Sequence, residues 1–250
     1  MAAQRTLSVR RNAARAPDRG NNARAPVVAL LQTRRGSPRA PRRRRASAHP
    51  YEPPRPKRTD DPRTATTSAP VLDSIATRWS PRAFDADHSL PEGALRGVFE
   101  AARWSASASN TQPWRFIIAR RGSESFAKIE AALMGFNQAW AGTATALVVN
   151  VAETLDVEGD EQPWAAYDLG QAVASYSLQA RSEGLYVHQM GGFDRQAIRD
   201  SFELSAGQEP ISVAAIGLLG DTDQLPDALR ERELAPRSRR PLEEIVLVND

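Results

Sequence analysis

Asn110-Thr111-Gln112-Pro113-Trp114 lies between a helical run, Ala94 to Trp104, and an apolar run, Phe116-Ile117-Ile118-Ala119. A linker of small residues, Ser105-Ala-Ser-Ala-Ser109, joins the helical run to it. A bend rich in hydroxyls and amides between a helix and a strand lets backbone and short side chains approach a flat, polar ligand. Asn110 and Gln112 each offer donors and acceptors, which suits the alternating edge of a pyrimidine-like ring. They could equally pin the loop's own backbone. Pro113 and Trp114 are read as fixing the bend and filling the core. Two arginine stretches, Arg78-Trp-Ser-Pro-Arg82 before the loop and Arg237-Ser-Arg239 far after it, extend this to a phosphate-bearing ligand with a planar ring.

Pro81 disfavours a helical Ser80, so Arg78, Ser80 and Arg82 should splay along an extended turn, with alternate side chains facing one side. Forked guanidinium donors match phosphate oxygens. A solvated charged turn is the plainer alternative. Arg237 and Arg239, at alternate positions, repeat the pattern.

Along the chain, Leu72, Ile75 and Trp79 predict a short helix over 71–78 with an inward apolar face. Ser89-Leu-Pro-Glu92 reads as a capping box for a helix striped by Leu95, Val98, Phe99 and Ala102. Phe116 to Ala119 is predicted as a buried strand, Phe126, Ile129 and Leu133 as a helix face, and Thr145 to Val151 as a central strand. Residues 164–183 predict the longest helix, with Leu169, Val173, Tyr176 and Ala180 inward and Gly184 as its stop. Its small residues, Gly170, Ala172, Ala174 and Ser175, would admit a second helix. Tyr186 to Met190 reads as a strand, Gly191-Gly192 as a turn with unobstructed N–H groups, and Asp194 as the cap of the next helix. Ile211 to Leu219 is the last strand, followed by a polar helix over 227–234.

The pI of 9.7 comes from one end of the chain. Residues 1–70 hold 17 of the 33 Lys and Arg but 4 of the 30 acidic residues, a net +13 against −10 for residues 71–250. That first segment has 10 of the 18 prolines and neither Phe nor Trp. It is expected to be a disordered Arg/Pro-rich extension because it cannot bury enough apolar surface to offset its ordering entropy. The acidic remainder argues against a nucleic-acid-binding fold. No apolar run reaches the length of a membrane span. With no cysteine in the chain, thiolate metal sites, disulfides and thiol nucleophiles are excluded, and a cytoplasmic location is expected. His49, His88 and His188 lie too far apart in sequence to show metal-ligand spacing, and His188 reads as a packed strand residue. There is no GxGxxG, P-loop, HExxH or Ser-His-Asp signature.

From about Val71 to Val248 the chain resembles the FMN-dependent nitroreductase family. The resemblance rests on Arg78-Trp-Ser-Pro-Arg82-Ala-Phe84, the loop Ser105 to Trp114, Phe136-Asn137, Gly191-Gly192-Phe193 and Arg237-Ser-Arg239, in that order. It implies an α+β fold over 71–250, a central, mostly antiparallel sheet flanked by helices, and a homodimer with FMN at the interface. It also implies roles. Arg78, Ser80 and Arg82 would hold the phosphate, ribityl chain and pyrimidine side of the flavin, with Arg237 and Arg239 on the phosphate. Ala106 and Ser107, with Asn110 in the same motif, would approach from the neighbouring subunit. Asn137 would bond the pyrimidine edge, and the Gly191-Gly192 turn would present a main-chain N–H to N5. Two positions depart from the pattern: Trp140 stands where many relatives carry a basic residue, and Gly191 where an acidic residue is common.

The function so implied is hydride transfer from NADH or NADPH through flavin N5 to a small oxidised acceptor, such as a nitroaromatic, a quinone or an enone-like molecule. No side chain is assigned as acid, base or nucleophile. A non-catalytic flavin carrier or regulator, and a nucleic-acid-associated protein acting through the basic extension, are the rival readings.

Overall fold

A computed structural model describes residues 63–91 and 93–249. Four strands form one antiparallel sheet: β1 (Trp114–Arg120), β2 (Ala146–Glu153), β3 (Tyr186–Met190) and β4 (Gln208–Gly217), in the order β1-β2-β4-β3. The helices are α1 (Asp73–Thr77), α2 (Arg96–Arg103), α3 (Glu124–Ala131), α4 (Ala165–Ser182), α5 (Arg195–Ser201), α6 (Asp227–Leu234) and α7 (Leu242–Ile245).

The composition of β2 explains the layers. Successive side chains point to opposite faces of a sheet, and both faces of this strand are covered. Leu147, Val149 and Val151 join a core with Ile129 of α3, Phe84 and Trp140. Ala146, Val148 and Ala152 join a second core with Val98 of α2 and Leu169 and Tyr176 of α4. An apolar run without polar alternation is what a strand between two layers requires. The exception is Asn150, fully buried where the β2–β4 register shifts. Its Nδ2 donates to Ser212 Oγ at 3.0 Å and its Oδ1 accepts from the Tyr176 hydroxyl at 3.0 Å. Burial pushes the Tyr176 phenol well above its ordinary range, so it stays a neutral donor.

α4 ends as predicted, with Gly184 at φ +83° after the last turn. Asp194 caps α5 by accepting from the Ala197 N–H at 3.0 Å.

Four expectations need correction. The helix after Ser89 begins later, at Arg96 with Leu95 as its N-cap. Gly93, at φ +86°, turns the chain first, and its carbonyl accepts from the Arg96 N–H; Glu92 lies outside the described residues. α1 does not bury an apolar face, since Leu72 and Ile75 are exposed and only Trp79 enters the core. The helix is instead tied to α4 by a polar contact, Arg181 Nε to Thr77 Oγ1 at 3.0 Å. β1 is an edge strand rather than a buried one, and leaves Ile118 exposed. Residues 63–70, assigned to the extension, include an attached segment: the Ala65 N–H donates to Ala76 O at 2.9 Å. The rest of the extension, residues 1–62, lies outside the described residues.

Candidate functional site

A cleft of about 310 Å³ opens between the turn after α1 and the segment after α6. Arg78, Ser80 and Arg82 line one side, and Arg237 and Arg239 line the other. The two groups lie far apart in sequence, at 78–82 and 237–239, and the fold gathers them in one place. The electrostatics match a site for an anion. Burial holds the Arg78 guanidinium below its usual pKa, the nearby Arg239 charge lowers it further, and among the described residues no carboxylate offsets either effect. A phosphate between them would remove this cost.

The turn is held in place by a residue the sequence reading missed. Glu233 on α6 is almost wholly buried. Its Oε1 accepts from the backbone N–H groups of Arg82 at 2.7 Å and Ala83 at 3.1 Å, and its Oε2 lies 3.5 Å from Arg82 Nη1. This carboxylate fixes the backbone that aims Ser80 and Arg82. Its surroundings in sequence, Arg230-Glu-Arg-Glu233, look like an ordinary solvated face, so nothing there signals burial.

The aromatic residues of the site divide between cleft and core. Trp79 lines the cleft and is 7% exposed, and its indole N–H has no hydrogen-bond acceptor among the described residues. Trp140 is not in the cleft. It packs in the core against Phe84, with ring centroids 6.1 Å apart, and against the His188 ring at 4.5 Å. The departure at Trp140 is therefore a core substitution, and the cationic character of the cleft comes from its arginines.

His188 Nδ1 lies 2.8 Å from the Pro81 carbonyl. Burial is the main cause that lowers its pKa, to about 4, with the Arg82 charge acting in the same direction against the Pro81 and Ser80 carbonyls. The ring is neutral at pH 7 and donates to Pro81, a structural part. A folded-state pKa below the unfolded value of 6.5 means that its contribution is fully present above pH 6.5 and is lost as pH falls towards 4. Denaturant unfolding between these pH values should show about 3 kcal/mol of lost stability from this group. A His188→Gln variant should show a flatter profile over the same window.

Asn137 and Gly192 form a second cluster. Asn137 Nδ2 donates to Gly192 O at 3.0 Å, and a Cβ on Gly192 would lie 3.1 Å from that same nitrogen. Gly192 therefore makes room for the amide, while space beside Gly191 is open. Neither glycine has a positive φ. Arg232 connects this cluster to the cleft, since it lines the cleft and its guanidinium lies over the Phe136 ring at 5.5 Å.

Ala106, Ser107 and Asn110 do not line the cleft of this chain. Their loop is tied to α4: Ser105 Oγ donates to Ser175 Oγ at 2.8 Å, and the Ala108 N–H donates to the buried Asp168 at 3.0 Å. Gln112 turns its N–H to Ser107 Oγ and its amide to Asn110 O, so it shapes the loop as the plainer reading held. Ser109, Asn110 and Gln112 all have positive φ, a concentration of non-glycine left-handed backbone that stores strain.

Among the described residues no group of His, Cys, Asp or Glu could hold a metal ion, and no helix is long and apolar enough to cross a membrane. A model of the nitroreductase family matches residues 75–150 and 128–218. The crystal structure of an oxidoreductase containing FMN superposes with a TM-score of 0.69 at 35% identity, covering 73% of this chain and 93% of its own. An NADH dehydrogenase of Thermus thermophilus is 28% identical over 213 residues, 71% of this chain and 97% of that protein. An uncharacterized 15.4 kDa protein of Mycolicibacterium smegmatis is 34% identical over 141 residues, 52% of this chain and 92% of its own. With its four-stranded antiparallel sheet, flanking helices and gathered arginines, the chain belongs to the nitroreductase family.

Proposed function

We propose that the chain is an FMN-dependent oxidoreductase that moves hydride from NADH or NADPH to a small oxidised acceptor, a nitroaromatic, a quinone or an enone-like molecule. The observation that carries this reading is the meeting of Arg78, Ser80, Arg82, Arg237 and Arg239 on one cleft. The donor set fits the group. Four guanidiniums and a hydroxyl suit a phosphate and a polyol, and the unpartnered Trp79 indole N–H adds a buried donor at the wall. When bound, FMN supplies two-electron chemistry at N5.

The chain's own residues bind and orient. Arg78 and Arg239 neutralise phosphate charge, Glu233 keeps the turn that carries Ser80 and Arg82 in register, and Asn137 with Gly191-Gly192 forms a polar cluster that Arg232 and Phe136 link to the cleft. A homodimer belongs to the proposal, because Ala106, Ser107 and Asn110 stand away from the cleft of their own chain. The outer face of α4 leaves Trp164, Tyr167 and Gly170 uncovered, which suits such packing. A cytoplasmic location, and residues 1–62 as an extension dispensable for the chemistry, complete the reading.

The test is spectroscopic. Purified full-length protein should take up FMN, be bleached anaerobically by NADH or NADPH, and regain its colour with menadione or a nitroaromatic. A protein that binds no FMN ends the proposal. One that binds FMN but is reduced by neither nicotinamide is a flavin carrier instead.

A further inference from the structure

We propose that residues 63–65 form a strap across the cofactor cleft, which opens for the ligand to enter or leave and closes again behind it, a device that rests on the FMN reading above. The segment lies ahead of residue 75, where the family match begins, so it is an addition to the matched fold. It joins the two walls of the cleft. On one side the Arg63 carbonyl accepts from Arg237 Nη1 at 2.8 Å. On the other, the Ala65 N–H donates at 2.9 Å to the carbonyl of Ala76, near the end of α1 and just ahead of Arg78. Arg237 Nη1 donates to that same Ala76 carbonyl at 3.0 Å, so strap, helix end and far wall meet at one oxygen.

The strap covers part of the cleft wall. The Arg63 guanidinium carbon lies 4.0 Å from the centroid of the Trp79 ring, and both residues line the cleft. Under this cover Trp79 is nearly buried, and its indole N–H has no acceptor among the described residues. A buried donor without an acceptor is a cost of the closed state. The segment itself has no helix or strand; Thr64 is exposed, and Arg63 and Ala65 are half-buried. Such a stretch, held by exposed hydrogen bonds and few apolar contacts, opens locally while the rest of the fold stays closed. The bonds to Ala76 and Arg237 and the contact with Trp79 engage neither Arg78, Ser80, Arg82 nor Arg239, so a phosphate on those residues and a closed strap are compatible. Opening therefore governs the rates of entry and exit and leaves the affinity alone.

Stopped-flow flavin fluorescence tests this on full-length wild type, Ala65→Pro and Thr67→Pro, with FMN uptake followed after mixing and release after dilution. Ala65→Pro removes the N–H that fastens the strap to Ala76. It should raise both rate constants about fivefold, the worth of one hydrogen bond, with Kd unchanged. Thr67→Pro puts the same ring at an exposed position just beyond the strap and should behave as wild type. Ala65→Pro rates equal to those of wild type overturn the strap and leave the FMN reading standing. A rise in release alone makes the segment a fixed wall of the site, and a rise in uptake alone makes it a competitor for the cleft; either result overturns the strap. So does the same acceleration in Thr67→Pro. Wild type that takes up no FMN removes the FMN reading and the strap together.

Discussion

Glu233→Ala is expected to lower stability by about 3 kcal/mol, roughly 10 °C in Tm for a domain of this size, because it strands two backbone N–H groups at the turn. The Ala83 N–H is buried, and its bond to the carboxylate is lost in the variant. FMN retention should fall in the same variant, since Ser80 and Arg82 lose the anchor that aims them. Glu233→Gln separates the two contributions of the side chain. It keeps an acceptor for the N–H groups and discards the charge facing Arg82, so most of the stability should return. Thermal melts of the three proteins, with and without FMN, check this. A Glu233→Ala protein as stable as wild type would mean that the turn holds itself.

Arg78→Met should move stability and binding in opposite directions. The Arg78 charge is disfavoured by burial and by Arg239, with no carboxylate among the described residues in compensation, so its removal should raise the Tm of the FMN-free protein. The same change deletes a charge-assisted contact to phosphate and should weaken FMN binding by about 2 kcal/mol, roughly thirtyfold. Function-bearing sites often carry such a local cost in the unliganded state. Melting curves of the FMN-free variant and a flavin titration are the two measurements. A fall in both quantities would make Arg78 an ordinary structural arginine.

The fold was legible where one physical demand dominates a segment. β2 reads as a central strand because both its faces are buried, and α4 because its stripe and its terminal Gly184 agree. The sequence of Arg78 to Arg82 fits a solvated charged turn as readily as an anion site, and it is the fold that brings these arginines to one cleft with Arg237 and Arg239. What escaped were properties that exist only after folding. Glu233 is written as one charge among many, yet the closure of α6 on the turn buries it. The start of α2 depended on the left-handed Gly93, which a capping pattern cannot reveal. Arg63 sits in a proline- and arginine-rich stretch whose average composition hides one short fastened segment.

The backbone of the α2–β1 loop has a consequence for how this region can vary. Side chains that cross over left-handed positions at Ser109 and Gln112 carry an energetic burden of about 1–2 kcal/mol each. Their shape is therefore borrowed from the helix beneath, through Asp168 and Ser175. Any drift that loosens that helix would let the stretch spring to an ordinary conformation, and the present contour of the loop would be lost while the rest of the molecule stayed intact.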